Sequence, residues 1–213
     1  MGTLTIATFM TLDGVMQAPG GPDEDRDGGF ERGGWSFPYF SDDMGEVISE
    51  EFGRAECFLL GRRTYEIFAG SWPNFPEQDD PVACSLNTLP KYVASTSLKS
   101  ADWQPTTILR GDISDEVTKL KDQYDGEIQV HGSASLAQTL HANGLIDEYR
   151  VFIEPIVLGT GKRLFEPSAA PTALQLVESR PMSKGTVLAI YRPAGTPTYG
   201  EFQMEEGFGL PDS

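Results

Sequence analysis

Only two cysteines, Cys57 and Cys84, occur in 213 residues. Two thiols cannot make a disulfide framework, so the composition is that of a protein for a reduced, cytoplasmic setting. Histidine is as scarce, at two residues; no Cys/His spacing suits zinc, and no metal is expected. Sixteen Lys and Arg face 32 Asp and Glu, a formal net charge of −16. A field of that sign repels nucleic acid phosphates. No apolar run reaches the roughly eighteen residues a membrane helix requires, so no membrane partner is expected either. The opening Met1-Gly2-Thr3-Leu4-Thr5-Ile6 has no basic n-region or cleavage site, which excludes a secretory signal as its reading. G-x-G-x-x-G, G-x-x-x-x-G-K-[ST] and G-x-S-x-G are all missing, and with them the Rossmann, P-loop and nucleophile-elbow patterns. A small molecule is the partner class left.

What the chain does have is alternation of strand and helix patterns. Thr3 to Met10 is rich in β-formers and closes at Thr11-Leu12-Asp13-Gly14. Ser41 is placed to cap a helix with Asp42 and Asp43 in its first turn and Met44, Val47, Ile48 and Phe52 on its apolar face. A strand from Ala55 to Leu60 turns at Gly61-Arg62-Arg63-Thr64 into a short helix, and Cys57 within it reads as buried packing. Strands follow at Lys91 to Ser95 and Thr106 to Arg110, then a helix through Val117, Leu120 and Tyr124. Ile128-Gln129-Val130, the small-residue turn His131-Gly132-Ser133-Ala134-Ser135, a helix stopped by Gly144 and a strand from Glu148 to Glu154 make a βαβ unit. Leu174 to Val177 and Thr186 to Tyr191 look like an antiparallel pair. The pattern predicts an α/β sandwich with a mixed sheet over residues 1–192, and a peripheral tail over 193–213.

Three strand ends, at Gly61-Arg62-Arg63-Thr64, Ser95-Thr96-Ser97 and Gly132-Ser133-Ala134-Ser135, are expected to border one crevice, because ligands of open α/β sheets sit beyond the carboxyl ends of the strands. A guanidinium pair with hydroxyls suits a ribose 2′-phosphate, and a helix start offers free N–H groups to a pyrophosphate. The glycine-rich stretch from Gln17 to Trp35 is either a functional flap or disordered. Within it Asp23, Asp25, Asp27 and Gly28 imitate the start of a calcium loop, but Gly34 stands where the closing glutamate belongs. The acids are therefore read as a solvated loop, and Lys162-Arg163 as a solvated basic patch. Trp35, Phe37 and Tyr39 either stack on a flat heterocycle or anchor the loop. His131 is read as a satisfied structural histidine.

Several of these pieces together resemble a known family. Leu60-Gly61-Arg62-Arg63-Thr64-Tyr65, Thr11-Leu12-Asp13-Gly14 and Val130-His131-Gly132-Ser133-Ala134-Ser135-Leu136 are similar to the dihydrofolate-reductase-like fold, a three-layer sandwich with a mostly parallel central sheet. Gly144-Leu145-Ile146-Asp147-Glu148 and Pro155 to Phe165 resemble, within it, the RibD C-terminal reductase domain of riboflavin biosynthesis, as a stand-alone member. The resemblance implies NADPH as cofactor, a hydride transfer to a C=N or C=O carbon of a pterin- or pyrimidine-like molecule, and a homodimer. It implies cofactor contacts at Gly61, Arg62, Arg63 and Thr64, at Ser95 and Thr96, and at Gly132, Ser133, Ala134, Ser135 and Leu136. Ser133 stands where the family often has a second glycine. Asp13 is implied beside substrate and nicotinamide as the catalytic acid, its alternative being a turn-forming Asp-Gly. Asp43 and Trp35 complete the candidate substrate contacts. Phe152, Ile156 and Val157 are either an apolar dimer face or core. The rival functions on the same fold are a nucleotide- or ligand-binding protein without turnover, and a flavin-binding protein.

Overall fold

Eight strands form one sheet in the computed structural model, which describes residues 1–75 and 80–201. In chain order they are β1 (Thr3–Thr11), β2 (Ala55–Gly61), β3 (Lys91–Ala94), β4 (Thr106–Leu109), β5 (Glu127–His131), β6 (Glu148–Glu154), β7 (Leu174–Pro181) and β8 (Val187–Pro193). The spatial order is β4-β3-β2-β5-β1-β6-β8-β7. Pairings from β4 to β6 are parallel, and β8 runs antiparallel to both β6 and β7. The mixed, mostly parallel sheet read from the sequence is thus present, including the closing antiparallel pair. One refinement concerns the βαβ unit. Its strands β5 and β6 are not neighbours, because β1 lies between them and pairs with both.

Side chains along the central strands alternate between two cores. Cys57 and Leu59 of β2 join Leu4, Ile6, Ile128 and Val130 on one face. That core is closed by Val117 and Leu120 of α4 (Ile113–Gln123) and by Leu136, Ala137 and Leu140 of α5 (Ala134–Ala142). Phe58 and Leu60 point the other way, toward Phe52 of α1 (Asp42–Gly53), Tyr65 of α2 (Arg62–Ser71) and Leu86 of α3 (Pro81–Thr88). Continuous apolar runs in β2 follow from burial on both sides, the usual state of a parallel strand. Helices on both faces give three layers. Helix α3 was missed from sequence although its start is signalled: Asp80 accepts the Val82 and Ala83 N–H groups ahead of a proline at the first helical position. Cys57 is buried and unpaired, as read. The tail beyond residue 201 lies outside the described residues.

Charge is buried inside the second core. Arg150 on β6, 6% exposed, donates from Nε to Glu148 (2.7 Å) and through its terminal nitrogens to Glu127 (2.8 and 2.7 Å) and to Glu51 of α1. Arg54 also pairs with Glu51, and Arg192 with Glu148. Three cations thus face three carboxylates, so the cluster is neutral. It joins α1, β5, β6 and β8. Phe152, a candidate for a dimer face, is instead buried with Met44, Val47 and Leu188 between α1 and the sheet. Ile156 is half-buried and Val157 exposed. At the sheet edge every residue of β7 is exposed, Leu176 and Val177 among them. Replacing Arg150 by Met would leave three buried or half-buried carboxylates without their common partner. The expected loss is about 3–5 kcal/mol, read as a lower urea midpoint with an unchanged slope.

Candidate functional site

The parallel strands β2 and β5 are neighbours, so the turns that leave them meet. Gly132 and Ser133 both adopt left-handed backbone, at φ 54° and 59°. For serine this costs about 1 kcal/mol, and it explains why glycine suits the position. The Ser133 hydroxyl offsets part of that cost. It accepts the Gly61 N–H (3.0 Å) and lies 2.9 Å from Thr64 Oγ1, which in turn accepts the Ser133 N–H (3.1 Å). These bonds lock the starts of α2 and α5 side by side. Asp80 and Asp112 cap α3 and α4, whereas α2 and α5 carry no side-chain cap. Their first N–H groups, and the positive end of each helix dipole, are left facing outward.

Both helix starts open into one cleft of about 1160 Å³, lined on this side by Gly61 to Thr64 and by Gly132 to Leu136. All nine of these candidate cofactor residues are therefore brought together. The volume exceeds that usual for a single drug-sized ligand. A second, aromatic wall, contributed by β1, the segment before α1, α1 and β6, is made of Phe9, Phe37, Phe40, Ile48, Phe52 and Phe152. His131 joins the two walls: its ring stacks on Phe52 at 4.3 Å, and its Nε2 lies 3.0 Å from Gln129 Oε1. Burial, reinforced by the Arg150 charge, lowers its pKa to about 3, so it is neutral at ordinary pH. The structural reading of this histidine is consistent with that geometry.

The remaining candidates lie elsewhere. Asp13 is not on the cleft wall. Its carboxylate accepts the Thr11 hydroxyl (2.6 Å) and the Leu158 and Gly159 N–H groups (3.1 and 2.8 Å), with Arg163 beside it. The Thr11 bond first, and then the backbone bonds, hold its pKa down at about 2. It fastens the 155–163 turn to the end of β1, which leaves no proton to give; the turn-forming reading describes its geometry. Asp43 is tied to Ser41 and to the backbone and hydroxyl of Ser183, again with a pKa of about 2, and it does not line the cleft. Ser41 therefore spends its hydroxyl on Asp43 and makes no side-chain cap. Trp35 is buried with Val15, Ala18 and Phe30, its indole N–H donating to the Gln17 carbonyl (2.7 Å): an anchor for the loop, unable to stack on a ligand. Ser95 Oγ accepts the Ser97 and Leu98 N–H groups, and Thr96 is held through its carbonyl by Arg110. The cleft reaches β3 only at Ala94.

The long loop is neither disordered nor simply solvated. Buried Gln17 donates to the Asp25 and Asp27 carbonyls and accepts the Lys162 N–H. Asp25 is itself buried, contacting Arg63 of α2 at 3.5 Å and Lys162 at 2.8 Å. The supposed basic patch is thus consumed, Lys162 by Asp25 and Asp27 and Arg163 by Asp13. From Gln17 to Asp25 the loop forms one wall of the cleft. Glu51 reads from the sequence only as part of the core-facing side of α1; it is buried, belongs to the Arg150 cluster and also lines the cleft. Its helical spacing of three from Ile48 was the available signal.

The family profile described as RibD C-terminal domain matches residues 2–188. The chain belongs to this RibD C-terminal family. The uncharacterized protein YyaP of Bacillus subtilis (strain 168) is 31% identical over 151 residues, spanning 70% of this chain and 79% of YyaP. The crystal structure of a putative riboflavin biosynthesis protein from Shewanella sp. PV-4 superposes with a TM-score of 0.68 at 19% identity, over 90% of this chain and 98% of that one. Dihydrofolate reductase from Enterococcus faecalis, complexed with NADP(H), superposes with a TM-score of 0.58 at 13% identity, over 90% and 96% of the two chains. At those identities the likeness to the two structures establishes the dihydrofolate-reductase-like fold. Among the described residues, no helix of this RibD C-terminal domain is long and apolar enough to cross a membrane and no metal-binding cluster occurs.

One further carboxyl lies behind the cleft. Glu154, at the end of β6, is fully buried; Oε1 accepts the hydroxyl of cleft-lining Ser36 at 2.5 Å and Oε2 has no partner. Burial, only partly countered by Ser36, raises its pKa from 4.5 to about 7. A carboxyl raised on folding favours the native state fully below its unfolded pKa, and that contribution is lost as pH climbs through the folded value. Stability is therefore expected to fall by about 3 kcal/mol between pH 4.5 and pH 7 on account of this group. Denaturation of Glu154→Gln across that window should show a flatter pH dependence than the parent.

Proposed function

We propose that the protein is an NADPH-dependent reductase of a pterin- or pyrimidine-like molecule. One observation carries the proposal. Two uncapped helix starts and the Arg62-Arg63 pair open into the same cleft as an aromatic wall, a natural division between dinucleotide phosphates and a flat ring. The residues fit the cofactor. Free N–H groups at Ala134 to Leu136 would receive the pyrophosphate, and Arg62, whose partner among the described residues is the exposed Glu66 at 3.2 Å, can turn to a 2′-phosphate. NADPH when bound would supply a hydride to a C=N or C=O carbon and leave as NADP+, and a proton from water would complete the reduction at the nitrogen or oxygen. The chain's own part is to align the two faces and, through the 17–25 segment and the aromatic wall, to keep water away. Support from relatives is of the same kind: the Enterococcus faecalis enzyme on this fold is complexed with NADP(H). A cytoplasmic setting and a homodimer belong to the same proposal, with the exposed strand β7 favoured over Phe152 as the surface for a second copy.

A binding protein without turnover is the second reading, favoured by the engagement of both Asp13 and Asp43 away from the cleft. A titration separates the readings from the start. The intact protein should bind NADPH at least tenfold more tightly than NADH, about 1.4 kcal/mol, and Arg62→Ala should lose that preference. Absence of binding to either nucleotide refutes the reductase reading. Binding without oxidation of NADPH over a panel of pterins and pyrimidinones favours the binding protein.

A further inference from the structure

The charge inventory of the cleft narrows what it accepts. Of the sixteen Lys and Arg in the chain, three line the cleft: Arg62, Arg63 and Lys162. Arg63 and Lys162 are both drawn to Asp25, and all three lie on the side of the helix starts or the 17–25 loop. Among the described residues, the charged group on the aromatic side is Glu51, already neutralised by Arg150 and Arg54. The acids facing the cleft outnumber the cations, with Asp23, Glu24, Asp25, Glu51 and Asp80 against three. Residues 76–79 and 202–213 contain no Lys or Arg, so they bring no cation to the mouth. Meanwhile Phe37, Phe40 and Phe75, 78%, 45% and 51% exposed, all belong to the rim of this one cleft. Aromatic side chains gathered around a concave mouth mark a surface kept for a ligand.

We infer that the half of the cleft lined by Phe9, Phe37, Phe40, Ile48 and Phe52 takes a flat, uncharged ring system without a phosphate tail. The inference rests on the reductase reading only in assigning the other half to the cofactor. A phosphate here would lie against an apolar wall with no guanidinium or ammonium left to receive it, since Glu51 is already paired with Arg150 and Arg54, whereas a neutral ring would cover exposed phenylalanine faces.

Riboflavin and flavin mononucleotide make a matched pair of probes, since they differ by one phosphate; lumazine supplies a smaller neutral ring. Calorimetric titrations are made on the protein saturated with NADPH and, separately, on Arg62→Ala without nucleotide but in excess inorganic pyrophosphate, so that the helix starts and Arg63 are occupied in both. The expected result is riboflavin bound at least tenfold more tightly than flavin mononucleotide in both settings. A Phe37→Ala, Phe40→Ala double variant, altered only at exposed rim positions, should lose at least tenfold in riboflavin affinity while keeping its affinity for NADPH. Equal or tighter binding of flavin mononucleotide overturns the inference. So does failure of both riboflavin and lumazine to bind, or an undiminished affinity in the double variant. Failure of NADPH itself to bind counts against the reductase reading alone, because the Arg62→Ala comparison still decides the chemistry of the aromatic half.

Discussion

The guanidinium of Arg150 sits under the middle of the molecule with three glutamates around it, and the position of α1 follows from that arrangement. Glu127 and Glu148 reach it from β5 and β6, while Glu51 reaches it from the last turn of α1. Burying ions is costly, and such a cluster is poor evidence for added stability. Its effect is geometric. Gln129, fully buried, donates to the Glu51 carbonyl and to Glu127, and its Oε1 accepts from Nε2 of His131, whose ring lies flat on Phe52. The floor of the cleft is thus the upper layer of a polar network rooted in the sheet. The apolar residues of α1 that line the cleft, Ile48 and Phe52, lie within one turn of Glu51 and are held with it.

Above this floor the two phosphate-ready turns depend on a smaller device, the crossing of Ser133 and Thr64. Because β2 and β5 are parallel neighbours, their following helices begin at the same edge, and each turn supplies the hydrogen bonds that keep the other in place. A left-handed serine is tolerated because its hydroxyl is occupied across the gap. The site is therefore rigid where a dinucleotide would lie. It is lined on the other side by a loop whose own order comes from Gln17, Trp35 and Asp25.

Much of this was legible in the chain. Periodicity located every strand of the sheet and most of the helices, because parallel strands buried on both faces give unbroken apolar runs and Gly144 and Gly132 mark real turns. The wall at the helix starts could be read because it resides in short contiguous motifs, Gly61 to Thr64 and Gly132 to Leu136. The aromatic wall could not. It is assembled from β1, the Ser36 to Phe40 segment, α1 and β6, and nothing local announces that Phe9, Phe40 and Phe152 face one space. Acidic residues misled for a related reason. Asp13 and Asp43 look like reactive groups in sequence, yet each is the acceptor for backbone N–H groups far along the chain, at Leu158 and Gly159 or at Ser183. Glu154 went unread because an alternating strand gives no hint of which polar residue will be shut in.

Arg63 stands at the first turn of α2 with its guanidinium 3.5 Å from Asp25. A single guanidinium cannot give the same donors to that carboxylate and to an incoming anion. Any anion drawing Arg63 toward the helix start weakens one of the two cationic ties on Asp25 and leaves Lys162 to hold it alone. By thermodynamic reciprocity, whatever tightens the loop around Asp25 must then lower the affinity for that anion by the same factor. The 17–25 loop and the helix start are in this sense competitors for one charge.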